Sequence, residues 1–141
     1  MAGRLPYAIR PKYPHMLAED KVIWDRYLVK FPERFESVEY DFRVGEGATP
    51  AEELEENYVH MVTMLSQLRI DVLAWVGDQP TIIEIKPRAV VAAIGQLQAY
   101  GILFTRDFPA VKKPNLLLVC ETISRDVSEV FLSVGITVDV V

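Results

Sequence analysis

Residues 69–86 read RIDVLAWVGDQPTIIEIK. Two apolar segments, 69–76 and 81–86, flank the tetrapeptide Gly77-Asp78-Gln79-Pro80. Such a pattern predicts two strands joined by a tight turn, with glycine where positive φ is tolerated. If Gly77-Asp78 centres the turn, Asp71 falls opposite Glu84 and Arg69 opposite Lys86. Side chains alternate along a strand, so all four are then expected on one face. Two carboxylates directly opposite each other repel. A divalent cation between them removes that repulsion. Lys86, two residues beyond Glu84 on the same face, is placed to touch a water or phosphate oxygen beside the ion. A solvated strand face carrying cross-strand ion pairs would use the same residue types, and taken alone the D-x12-E-x-K spacing favours that plainer reading.

The neighbouring segments shift the balance. Residues 89–105, AVVAAIGQLQAYGILFT, predict a helix so apolar that it is buried on several sides. Gln96 and Tyr100, four apart, share one face of it. A glutamine in such a helix needs a hydrogen-bonding partner, and a carboxylate site at the end of the preceding strand supplies one. A capped core glutamine and a core tyrosine are the plain alternatives.

Working outward, residues 16–31 carry helical periodicity, with Leu17, Trp24, Tyr27, Leu28 and Phe31 on the apolar face and Pro32 as the stop. FESVEYDFRV, residues 35–44, alternates as a strand and ends at the Gly45-Glu46-Gly47 turn. Thr49 and the acids after it resemble a helix start; residues 58–67 fit either helix or strand. NLLLVCE, residues 115–121, is a central strand by its unbroken apolar run. A short amphipathic helix follows from Ser124, then a last strand in GITVDVV. Residues 1–14, with three prolines, form an extended N-terminal arm, and residues 15–141 form one α/β domain, a mixed β-sheet flanked by helices.

Composition narrows the function classes. The chain has 141 residues, half of them apolar and a quarter charged, enough for one domain with a real core. Cys120 is its single cysteine, which excludes an internal disulfide, an iron–sulfur cluster held by this chain and a cysteine-rich zinc site. His15 and His60 form no ligand pattern. No apolar run is long enough to cross a bilayer, and the N-terminus lacks a hydrophobic signal core, so a reducing cytoplasmic setting is expected. The net charge of −5 argues against a general nucleic-acid coat. The charge is uneven, however. Acids crowd between Glu33 and Glu56, whereas five basic residues between Ile85 and Lys113 face only Asp107. A basic face near the site and an acidic one away from it would follow.

Asp71, then Glu84-Ile85-Lys86 on the next strand, then Gln96 and Tyr100 as Q-x-x-x-Y on the next helix, together resemble the PD-(D/E)xK nuclease superfamily. The Q-x-x-x-Y element is similar to that of its RecB-like and lambda-exonuclease-like branches. The resemblance covers the first helix to the last strand, in the order of that superfamily's restriction-endonuclease-like αβββαβ core. Ile70 stands where proline is common, and the cysteine cluster of some RecB-like members is missing. The string IKPRA…GQL…Y also resembles bacteriophage proteins. The resemblance implies a nuclease using Mg2+ or Mn2+, held by Asp71, Glu84 and the backbone carbonyl of Ile85. Lys86 would orient the attacking water or stabilise the charge of the transition state, while Gln96 and Tyr100 would position the site or the DNA. Arg88 and Arg69 are candidate nucleic-acid contacts.

The superfamily often adds an acid from the first helix. Helical spacing from Asp20 reaches Ile23, Trp24, Tyr27 and Leu28, whereas from Glu19 it reaches the more mixed Val22, Ile23, Arg26 and Tyr27. Asp20 is therefore expected to point toward the protein body, as a possible fourth site acid, with a helix cap or a structural arginine pair as its alternative role. The expected partner is DNA. A homodimer, or a larger viral or repair assembly, would bring two sites to two strands. Two other classes remain open from sequence: a virion or connector protein that keeps the fold, and a nucleic-acid-binding module without activity.

Overall fold

The computed structural model describes residues 4–45 and 68–141. The Gly77-Asp78 turn organises its sheet. Gly77 sits at φ +57°, a conformation that strains any side chain with a Cβ. From that turn the two segments zip together, Val76 opposite Gln79 and so on to Val72 opposite Ile83. The strands are β3 (Arg69–Val76) and β4 (Gln79–Arg88).

Before this hairpin come β1 (Leu5–Pro6), α1 (Ala18–Lys30) and β2 (Ser37–Arg43). After it come α2 (Ala92–Asp107), β5 (Asn115–Thr122), α3 (Arg125–Ser133) and β6 (Thr137–Val140). The strands lie in the sheet in chain order, β1 to β6. Strands β1 to β4 are antiparallel neighbours, while β5 and β6 run parallel to β4. The change of direction follows from the connections: a two-residue turn can only reverse the chain, and a helix can carry it back to start a parallel strand. The αβββαβ order expected from sequence is the order observed, with β1 paired ahead of it on β2.

Several sequence expectations change in detail. β4 runs on through Pro87 to Arg88, which lies opposite Thr122 of β5, so the helix expected from residue 89 starts at Ala92. That helix buries one side rather than several: Val91 and Ile102 are exposed, while Leu97, Tyr100 and Phe104 face the core. Leu17 precedes α1 and is exposed, and Ile23 takes its place on the buried face. The N-terminal residues run extended but do not stand free. Tyr7 and Tyr13 are buried, and the Tyr7 hydroxyl donates to the Phe31 carbonyl at 2.7 Å. Ser124 caps α3, its hydroxyl accepting from the Val127 N–H. The helix start at Thr49 and the ambiguous residues 58–67 lie outside the described residues, as does most of the Gly45-Glu46-Gly47 turn.

The sheet has a core on each face. On one, Trp24, Tyr27 and Leu28 of α1 cover Val38, Val72, Ala74, Ile83, Ile85 and Val119. On the other, Leu97, Tyr100 and Phe104 of α2 and Phe131 of α3 cover Leu73, Ile82, Leu118 and Cys120. Regular alternation would keep Tyr40 with Phe42, and Val72 with Ile70, on one face. Instead Tyr40 and Val72 face α1, whereas Phe42 and Ile70 face α2. The reversal occurs at Asp41, whose backbone is left-handed at φ +52°. Because Tyr40 is opposite Val72 and Phe42 is opposite Ile70, Asp41 lies abreast of Asp71 at the same level of β3. A left-handed residue in one strand changes its face as a bulge does, and such features re-aim side chains beside functional sites.

Candidate active site

Where the alternation breaks, β3 and β4 part. Their ladder ends at Val72–Ile83, and the next N–H of β4, that of Ile85, donates to Asp71 Oδ2 at 3.0 Å. Asp71 is thus bound in the split between two strands. Arg69 and Lys86 are consequently not the cross-strand pair expected from simple register. Arg69 lies opposite Arg43 of β2, and its NH1 is 3.8 Å from Asp41 Oδ1.

Glu84 shares the α2 face of β4 with Ile82 and is only 3% exposed. Its Oε1 is 3.4 Å from Lys86 Nζ. Its Oε2 is buried with no hydrogen-bond partner among the described residues. Burial first, and then the charge of Asp71, push the Glu84 carboxyl up to about 9. Burial also raises Asp71, opposed by the Ile85 N–H. A buried and a half-buried acid placed this way resist ionising together without a compensating cation.

Other candidates surround this pair. Gln96 Nε2 donates to the Tyr100 hydroxyl at 3.0 Å. Tyr100 is buried, and its phenol is held well above its usual range by burial and then by the Glu84 charge, so its hydroxyl faces the acids. From the opposite face, Asp20 is half-buried and pushed up to about 6 by burial, then by the charges of Asp71 and Glu19, with Lys86 opposing. Glu19 is exposed. Ile85 buries its side chain against the α1 core while its N–H serves Asp71. Arg88 is exposed at the end of β4, two residues beyond Lys86.

Among the described residues, no three or more His, Cys, Asp or Glu side chains converge as a cation-binding group. The pair itself suits Mg2+ or Mn2+. Magnesium is commonly held through one or two carboxylates and keeps several waters, and the unpartnered Glu84 Oε2 is an oxygen ready to ligate.

One neighbour escaped the sequence reading. Asp41 lies abreast of Asp71, and its charge helps raise that group. It also meets His15, whose Nε2 is 3.5 Å from Asp41 Oδ2. The signal was present in the alternating Glu39, Asp41 and Arg43 of β2, but choosing Asp41 required the register between β2 and β3.

No family model matches the chain, and no curated protein matches it in sequence. Two solved structures are similar in shape. One is a repair endonuclease from Pyrococcus abyssi, 14% identical, covering 67% of this chain and 49% of its own, with a TM-score of 0.44. The other is the EndoMS-dsDNA2 complex, 16% identical, covering 94% of this chain and 49% of its own, with a TM-score of 0.49. The chain thus spans about half the length of each. No helix among the described residues is long and apolar enough to cross a membrane.

Proposed function

We propose that this chain is a divalent-metal-dependent DNA nuclease of the PD-(D/E)xK type, encoded by a bacteriophage and acting in the cytoplasm on DNA as its partner. The observation that carries the reading is buried Glu84 beside half-buried Asp71, with one Glu84 oxygen lacking a partner among the described residues and Lys86 at 3.4 Å from the other. A protein keeps such a pair at a cost in stability. A hydrolytic site offers a reason to keep it.

In this mechanism Asp71, Glu84 and the Ile85 carbonyl hold Mg2+ or Mn2+. When bound, the ion polarises the scissile phosphate and lowers the pKa of a water. The Ile85 N–H fixes one oxygen of Asp71. Lys86 donates only. It sits at the exposed rim of the pair, where it orients the attacking water or stabilises charge on the phosphoryl oxygens. Gln96 keeps the Tyr100 hydroxyl turned toward Glu84. Asp20, on the opposite side, is a positioned carboxylate for a water.

The direct test is incubation with linear, circular, single-stranded and branched DNA in magnesium, manganese or chelator. Metal-dependent cleavage lost in Asp71→Ala and Glu84→Ala is the expected result. Failure to cut any of these substrates with either metal would remove the proposal.

A further inference from the structure

His15 and Asp41 are the two non-glycine residues with left-handed backbones among the described residues, at φ +54° and +52°. They are also partners of each other. A left-handed non-glycine backbone is uncommon and persists where its surroundings hold it. Here the two unfavourable residues hold one ion pair, and that pair borders Asp71.

Asp41 serves a second cation as well. Arg69 approaches it from β3 at 3.8 Å, two residues along the chain from Asp71. Neither contact is a good hydrogen bond, since 3.5 and 3.8 Å exceed the usual N–H···O range. Arg69 Nε, moreover, is buried with no partner among the described residues. His15 is 68% exposed, whereas Asp41 is only 16% exposed. Arg69 and His15 therefore share one largely buried carboxylate at the edge of the acid pair, neither with an ideal bond to it. An arginine fork beside an imidazole N–H donor is suited to the oxygens of a phosphodiester.

We propose that His15 and Arg69 form a phosphate subsite for the nucleic-acid strand next to the scissile phosphate, and that Asp41 is the positioning residue that holds both side chains at it. The inference rests on the nuclease reading above and adds where the strand lies: across β2 and β3, on the Asp71 side of the site. Asp41 touches no substrate. It acts by aiming its two partners, and its negative charge opposes the approach of DNA.

This assignment makes the variants move in opposite directions. Binding of a fluorescein-labelled duplex oligonucleotide is followed by anisotropy against salt in calcium, and cleavage is followed in magnesium. Arg69→Gln should weaken binding several-fold and reduce the slope of log K against log salt by about 0.9, one phosphate contact, and His15→Asn should weaken binding several-fold. Asp41→Asn should leave binding unchanged or tighter, yet reduce kcat about tenfold. Asparagine tolerates left-handed backbone, so His15→Asn and Asp41→Asn keep the fold, and circular dichroism melts confirm it. An unchanged salt slope in Arg69→Gln and unchanged binding in His15→Asn, with wild type binding and cutting normally, would overturn the subsite and leave the nuclease reading intact. A wild-type kcat in Asp41→Asn would overturn its positioning role. A wild type that neither binds nor cuts would overturn both.

Discussion

Glu84→Gln should stabilise the metal-free protein. The wild-type carboxyl moves from an ordinary 4.5 to about 9 on folding, through burial and then the Asp71 charge. A raised acid binds more protons folded than unfolded, so its contribution to stability is fully present below pH 4.5 and is lost as pH rises toward 9. At about 1.4 kcal/mol per pH unit, holding that proton costs about 3 kcal/mol by pH 7. Glutamine has nearly the same shape and no charge to suppress. It carries an amide whose own pairing can return about 1 kcal/mol of the gain. The expected net gain is about 2 kcal/mol at pH 7, a rise of several degrees in Tm, vanishing near pH 4.5 and growing toward pH 9. Urea denaturation of both proteins in chelator across that range measures it. Magnesium or manganese should then reverse the order. Wild type gains about 2.7 kcal/mol when the metal is at a hundred times its Kd, and Glu84→Gln gains little. A Glu84→Gln protein less stable than wild type in chelator at pH 8 would refute the reasoning, because it would show Glu84 ionised and satisfied without a cation.

Lys86→Ala should keep the metal-induced rise in Tm and lose cleavage by about a hundredfold, the scale of one lost transition-state donor; cleavage at the wild-type rate would remove Lys86 from the chemistry. Asp20→Asn should impair cleavage strongly, whereas exposed Glu19→Gln should be nearly silent. Because Asp20 ionises near 6, the wild-type rate should climb through that pH as its carboxylate forms, and Asp20→Asn should lose that part of the profile. Tyr100→Phe removes the acceptor for Gln96 and should cost about 1 kcal/mol in denaturation with a several-fold loss of cleavage; a silent Tyr100→Phe would reduce the Gln96–Tyr100 pair to packing.

Much of the architecture was legible in local pattern. Gly77-Asp78 announced the hairpin, and with it the level of Asp71 against Glu84. The unbroken LLLVC run announced an inner strand, and α1 declared its buried face through Trp24, Tyr27 and Leu28. These are period and turn signals, which short-range sterics and burial impose on residues close in the chain. The spacing from Asp71 to Glu84 and Lys86, and on to Gln96 and Tyr100, was legible for the same reason. The fate of each side chain at the site was not. Simple alternation put Arg69 opposite Lys86, because nothing in β3 alone records that it changes face at Asp71. That change is matched by a left-handed Asp41 on a different strand, abreast of Asp71 but 30 positions earlier in the chain. Only the packed sheet brings Asp41, His15 and Arg69 together, and only burial between two cores raises Glu84 to about 9. Chain order sets which residues can be neighbours along a strand or helix; lateral register and desolvation, both properties of the assembled sheet, decide which carboxylates share a charge.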